Sequence, residues 1–259
     1  MDLKSIYEKS YNFLVSESKD FVSKEQIDVF ISTPDSSECR DLHSAYILLL
    51  GILQDFNMYP NVIQFEKRKA QILRILHDGD LKYISSLDVA ALLAEFKNEF
   101  GFQNDTLWRK YCKSIITGAR FMSLFIDDND FNRTFDAFDK SDMTREAFAL
   151  FLSKKIYNMG FAVACNWLKE LGYYKYAKPD THIKDVCSAL NLIQNNDDIS
   201  CFEAIIKVAN AAEVDAYIVD KVWWLICSGN FYRYKIVLPH PKQRKERFLM
   251  LCSKDAAKE

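Results

Sequence analysis

Residues 153–191 read SKKIYNMGFAVACNWLKELGYYKYAKPDTHIKDVCSALN. Two helical patterns are joined by a short connection, Ile156-Tyr-Asn-Met-Gly-Phe161. A loop from Gly172 to Asp180 then leads into a third helical pattern. In the connection, Asn158 and Gly160 are the residues that adopt a positive φ most readily. A tight turn between two helices presents the unpaired backbone N–H groups of the second, and with the helix dipole they make a seat for a phosphate. Such connections also serve as plain structure. Downstream, Pro179 pushes Lys178 into extended geometry. Asp180 stands where a helix N-cap belongs, a role its carboxylate fills by accepting the first amides. Read for function, the same carboxylate is held at the mouth of a groove beside the phosphate seat.

Outward from this stretch the chain reads as helix after helix. The expected spans are 3–18, 23–31, a nearly continuously apolar one over 44–56, 62–77, 86–96 with its cap at Ser85 or Ser86, 106–125, 145–155, 161–171, 181–190, 200–212 and 215–227. Breaks fall at Thr33-Pro-Asp-Ser-Ser, Tyr59-Pro-Asn and Asp78-Gly-Asp. Asp127-Asp-Asn-Asp reads as a solvated acidic turn, and the basic run Pro241–Arg247 as a solvated tail. With 7 Gly and 5 Pro in 259 residues, the chain is too poor in turn-formers for a fold of many short strands. Its 19 Phe, 13 Tyr and 4 Trp supply ample core. The expected fold is all-α: two helical subdomains flanking a cleft, with a helix-hairpin-helix motif, in a single unit over 1–259. The subdomains are expected at 36–140 and 141–259, joined by 1–35.

Other classes are excluded residue by residue. No G-x-G-x-x-G, G-x-x-x-x-G-K-[ST] or G-x-S-x-G occurs, so nucleotide-dependent and α/β-hydrolase chemistries lack their loops. The seven Cys (39, 112, 165, 187, 201, 227, 252) show no C-x-x-C spacing, and the four His form no H-E-x-x-H pair. No metal site is expected, and the thiols read as free and buried in a reducing compartment. Charges recur every few residues over the first twenty, leaving no apolar signal core, and the longest apolar run, Ala45–Leu53, is far short of the roughly 20 residues of a membrane span. A soluble, cytoplasmic protein is expected, nucleoid-associated if the source is prokaryotic. The net charge of −2 hides a mild polarity: residues 141–259 hold 17 Lys/Arg against 14 Asp/Glu, and residues 1–140 hold 17 against 22. An anionic partner fits the C-terminal half better.

The hairpin and the K-P-D-T-H-I segment, in this order and with Asp180 twenty residues after Gly160, resemble the helix-hairpin-helix DNA glycosylase superfamily. The run A-C-N-W-L-K-E-L-G-Y before the loop is most similar to the 8-oxoguanine branch. The match covers about 40 residues directly. Asn158 replaces the first hairpin glycine, Tyr157 replaces a proline, and Ala162 stands where bifunctional members carry a Schiff-base lysine.

The resemblance implies an enzyme of base-excision repair that acts on double-stranded DNA holding a damaged base, an oxidised purine being the branch's substrate. Asp180 would be the catalytic carboxylate and water the nucleophile, making the enzyme monofunctional. Lys154 or Lys155 is the alternative, as a shifted Schiff-base lysine. DNA contacts are expected from Asn158, Met159, Gly160, Ala162, Lys178 and His182, with Lys175 and Lys184 adding charge. Phe161, Trp167, Trp223 and Trp224 are the candidates for the pocket of a flipped base. No cofactor is implied beyond a monovalent cation on the hairpin carbonyls of Ile156 and Asn158. The chain is expected to act as a monomer, with no membrane partner. Two other readings stay open: a non-catalytic helix-hairpin-helix DNA-binding module, and an all-α protein-interaction domain.

Overall fold

A computed structural model describes residues 2–34, 41–55 and 59–256. Within them the order is α1 (Leu3–Ser18), α2 (Lys24–Ile31), α3 (Leu42–Ile52), α4 (Tyr59–Ile63), α5 (Phe65–Ile75), α6 (Leu81–Ser86), α7 (Val89–Phe100) and α8 (Asp105–Met122). There follow α9 (Asp128–Phe138), α10 (Asp142–Lys155), α11 (Phe161–Glu170), α12 (Thr181–Ala189), α13 (Asp198–Ala212) and α14 (Ala216–Ser228). Next come strands β1 (Asn230–Phe231) and β2 (Ile236–Val237), and finally α15 (Pro241–Ala256). The strands form one antiparallel pair, so the fold is all-α as expected. No helix among the described residues is long and apolar enough to cross a membrane. Three sequence features, the break at Asp35–Ser37, Cys39 and the expected helix end at Phe56, lie outside the described residues.

Several helix starts differ from the sequence expectation, each for a local reason. Ser85 and Ser86 do not cap a helix; their hydroxyls bond back to the Lys82 and Tyr83 carbonyls at 3.1 and 2.7 Å. Asp88 caps α7 instead, accepting from Ala90 and Ala91. Tyr59-Pro-Asn opens α4, because proline is tolerated in a helix's first turn. Gln64, at φ 52°, then separates α4 from α5, so the expected span 62–77 is two helices. The acidic stretch 127–130 is not a free turn. Asp127 caps α9, and Asp128 and Asp130 lie in its first turn, where the helix dipole favours them. Nor is 241–247 a solvated tail: it begins α15, and Arg244 is buried, donating to the Ile226 and Pro239 carbonyls at 2.7 and 2.9 Å.

The chain divides into two compact units, Ser36–Leu171 and a second built from both ends, Met1–Asp35 with Gly172–Glu259. The boundary therefore falls after α11 rather than at 140/141, and residues 1–35 belong to the body of a unit rather than to a joint. The packing explains both. In the first unit, Trp167 of α11 sets its ring against Phe121 and Phe135 and donates to the Ala45 carbonyl of α3 at 3.1 Å. The tyrosines Tyr46 and Tyr111, fully buried, cross between α3 and α8 to the Ile115 and Leu50 carbonyls. In the second unit, Trp223 of α14 donates to Ser10 Oγ of α1 at 3.0 Å, and Phe30 of α2 packs against the rings of Phe231, Tyr232 and Tyr234.

Candidate active site

The two halves of the expected site lie one in each unit. In the Ser36–Leu171 unit, α10 ends at Lys155 and the buried Ile156 turns the chain, its carbonyl accepting from the Met159 amide at 3.3 Å. Asn158 takes the left-handed conformation at φ 60°. Gly160 does not: at φ −74° and ψ 168° it is the extended N-cap of α11. A Cβ there would meet nothing within 4 Å, so the residue is exposed and faces open space. No side chain among the described residues caps α11. The buried Met159 and Phe161 anchor the hairpin from beneath, and Ala162 is half-buried.

Two groups that the sequence did not single out join the hairpin from α8. Thr117 Oγ1 accepts the Tyr157 amide at 2.9 Å, and Lys113 Nζ lies 4.1 Å from the centre of the Tyr157 ring. Lys154 and Lys155 are exposed, with Lys155 Nζ 5.3 Å over the Phe151 ring. Lys154 and Lys155 close α10 directly before the hairpin, and Lys113 of α8 lies over its Tyr157 ring.

In the second unit, Asp180 is the N-cap of α12. One oxygen, Oδ1, accepts both the His182 and Ile183 amides at 2.9 and 3.1 Å. That leaves Oδ2 as the oxygen no helix amide holds. The side chain is half-buried, and burial, then the carboxylate of Asp220, push its pKa above the usual carboxylate range; Lys178, the Ile183 amide and His182 act in the opposite direction. Asp220, on α14, is 2 % exposed and its Oδ2 accepts the Lys178 amide at 2.9 Å. It escaped the sequence reading, although an acid in the apolar run AYIVDKVWW was the signal that could have found it. Lys178 and His182 are half-buried beside Asp180, and the Nδ1 atom of His182 is enclosed with no hydrogen-bond partner among the described residues. Lys175 is exposed, while Lys184 is paired with Asp198.

The aromatic candidates separate cleanly. Trp167 and Trp223 are fully buried, and each spends its indole N–H inside its own unit, so both are core residues rather than walls open to a ligand. Phe161 is buried at the start of α11. Only Trp224 is partly open, its ring edge-on to Tyr232. A cavity of about 580 Å³ lies between α3 and α5, lined by His43, Gly51, Phe65 and Lys69, and contains none of these residues. Among the described residues no group of three His, Cys, Asp or Glu is placed to hold a metal ion.

No protein-family model and no curated protein matches the sequence. Solved structures do. The chain is similar to the 8-oxoguanine DNA glycosylase of Methanocaldococcus jannaschii, with 17% identity over 87% of this chain and 95% of that one and a TM-score of 0.57. It is likewise similar to the glycosylase/lyase of the same organism in complex with a 15mer DNA containing 8-oxoguanine, with 18% identity, 84% and 96% coverage and a TM-score of 0.56. At this identity the likeness establishes a shared fold along nearly the whole of those chains.

Proposed function

We propose that the chain is a DNA glycosylase that removes a damaged base, an oxidised purine, from double-stranded DNA. The observation that carries the reading is Asp180, an N-cap carboxylate whose one oxygen is tied to α12 and whose pKa is raised by burial and by Asp220. The shared fold with a glycosylase solved on 8-oxoguanine DNA supports it. Cleavage builds positive charge on the deoxyribose as the base leaves. A fixed carboxylate at C1′ stabilises that charge, and a raised pKa makes it a better acceptor for the proton of the attacking water. The water oxygen bonds to C1′, the C1′–N bond breaks, its electron pair departs with the base, and the water's proton passes to Asp180.

Water is the nucleophile in this reading because Ala162 has no group that can attack carbon. The hairpin backbone at Gly160 and Ala162 would bind the DNA backbone, with Lys154, Lys155 and Lys113 adding charge, and Lys178 and His182 would add contacts beside Asp180. Trp224 is the aromatic candidate left for the flipped base. A monovalent cation on the hairpin belongs to the same proposal: the Ile156 carbonyl already accepts one bond, from Met159, and keeps a second lone pair.

The test is a panel of duplexes, each with one lesion, incubated with the wild-type chain and with Asp180→Asn under single-turnover conditions. Expected is release of one class of oxidised purine by the wild type and no release by the variant, with DNA binding kept. Release of no base from any duplex sinks the reading in favour of a binding module. A borohydride-trapped adduct that disappears in Lys154→Ala or Lys155→Ala replaces water by that lysine.

A further inference from the structure

Burying a carboxylate is costly unless its surroundings hold it and something depends on it. Asp220 is buried on α14 at 2 % exposure, and its Oδ2 accepts a hydrogen bond from the loop before α12. There it accepts the Lys178 amide at 2.9 Å, and the Lys178 carbonyl in turn accepts the Asp180 amide at 2.8 Å. Between them the ring of the buried Pro179 fixes its own φ. Three residues are thus clamped: α14 grips the first, proline stiffens the second, and the third is Asp180, whose Oδ1 is tied forward to α12.

We propose that Asp220 is a positioning residue for the Asp180 carboxylate, anchoring the Lys178–Asp180 turn to α14 and setting a second negative charge beside it. The proposal rests on the glycosylase reading of Asp180 and adds to it the group that aims and charges that side chain. Charged and titratable groups reach the pair from the turn and from α12, α13 and α14. Lys178 of the turn and His182 of α12 attract the Asp180 charge. Cys227 of α14 donates to the His182 carbonyl and Cys201 of α13 to Cys187; burial pushes the first thiol up to about 12, and the second is raised by its bond to Cys187 and by burial, so both stay neutral. Lys245 of α15 faces Cys227 and is paired with Asp185. Asp220 is therefore the charge that opposes Asp180, and its removal leaves burial alone against Lys178, the Ile183 amide and His182.

Two substitutions separate position from charge. Asp220→Asn keeps an oxygen for the Lys178 amide and removes the charge; Asp220→Ala removes both. For D220N we expect base release to fall less than about tenfold, with the acid limb of its pH profile moved to lower pH. For D220A we expect a further loss of about tenfold or more, with the DNA Kd of both within about twofold of wild type. Carbon-13 spectra of aspartate-labelled protein read the same change without any activity: the Asp180 titration moves to lower pH in D220N. An acid limb and an Asp180 titration that both stay put in D220N overturn the proposal. If neither variant folds, the wild type still decides, because a single unperturbed carboxylate titration at Asp180 overturns it. Base release at the wild-type rate by Asp180→Asn would instead remove the glycosylase reading, and the spectra would still report whether Asp220 charges its neighbour.

Discussion

Asp197 and Asp180 cap consecutive helices, α13 and α12, in the same unit. Each accepts two hydrogen bonds or more at a helix start: Asp197 from the Ser200 amide and hydroxyl, Asp180 from the His182 and Ile183 amides. By sequence they are equivalent, an aspartate before a helical pattern. They differ in surroundings. Asp197 is exposed, and the Ser200 amide, then its hydroxyl, hold its pKa below the usual range. Asp180 is half-buried against Asp220, and its pKa goes the other way. A cap that only stabilises a helix is relaxed in its ionised form. For Asp180 the ionised form carries a cost, as is common in a group kept for chemistry. A third helix start differs again: α11 begins at the exposed Gly160 with no side-chain cap among the described residues.

The largest effect that can break this comparison is on the reaction. Asp180→Asn should lower single-turnover base release at least about 100-fold, whereas Asp197→Asn should leave it within about twofold; equal losses would mean that both residues act only as caps. Next comes binding. Gly160→Asp supplies α11 with the cap it lacks and sets a negative charge over the amides, so the affinity for duplex DNA should fall about tenfold. The helix content should stay unchanged by circular dichroism, and unchanged affinity would take the hairpin out of the DNA interface.

Smaller effects fall on stability. Asp197→Ala should lower the midpoint of chemical denaturation, because the Ser200 amide loses its cap. Asp180→Asn should instead raise Tm, because asparagine still caps and no longer repels Asp220. The pH dependences should be opposite in sign as well. Asp180 has a raised folded pKa, so the stability it contributes is present at low pH and lost as pH rises through that value. Asp197 has a lowered one, so its contribution is present above the ordinary carboxylate range and lost as pH falls through the folded value. Denaturation midpoints of the two Asn variants, compared with wild type across pH 3–8, read both slopes.

The sequence carried far because helices are local. Period and caps located α1, α10, α11 and α12 to within a few residues, and the scarcity of Gly and Pro settled the fold class. Asp180 was legible as a cap because capping depends on the next three residues. The indoles were not legible as core or pocket: Trp223 and Trp224 are adjacent and chemically identical, and only their neighbours, Ser10 for one and Tyr232 for the other, separate them.

What the sequence determined by itself, then, is the succession of helices, the hairpin and the aspartate after Pro179, since each follows from interactions within a few residues. The tertiary structure decided the rest. It closed one unit from the two ends of the chain and drew the boundary after α11. It buried Arg244 in what reads as a polar tail. It also brought Asp220, forty residues downstream of Asp180, onto the turn before Asp180. Burial and the meeting of like charges depend on contacts between distant segments, and no local pattern records them.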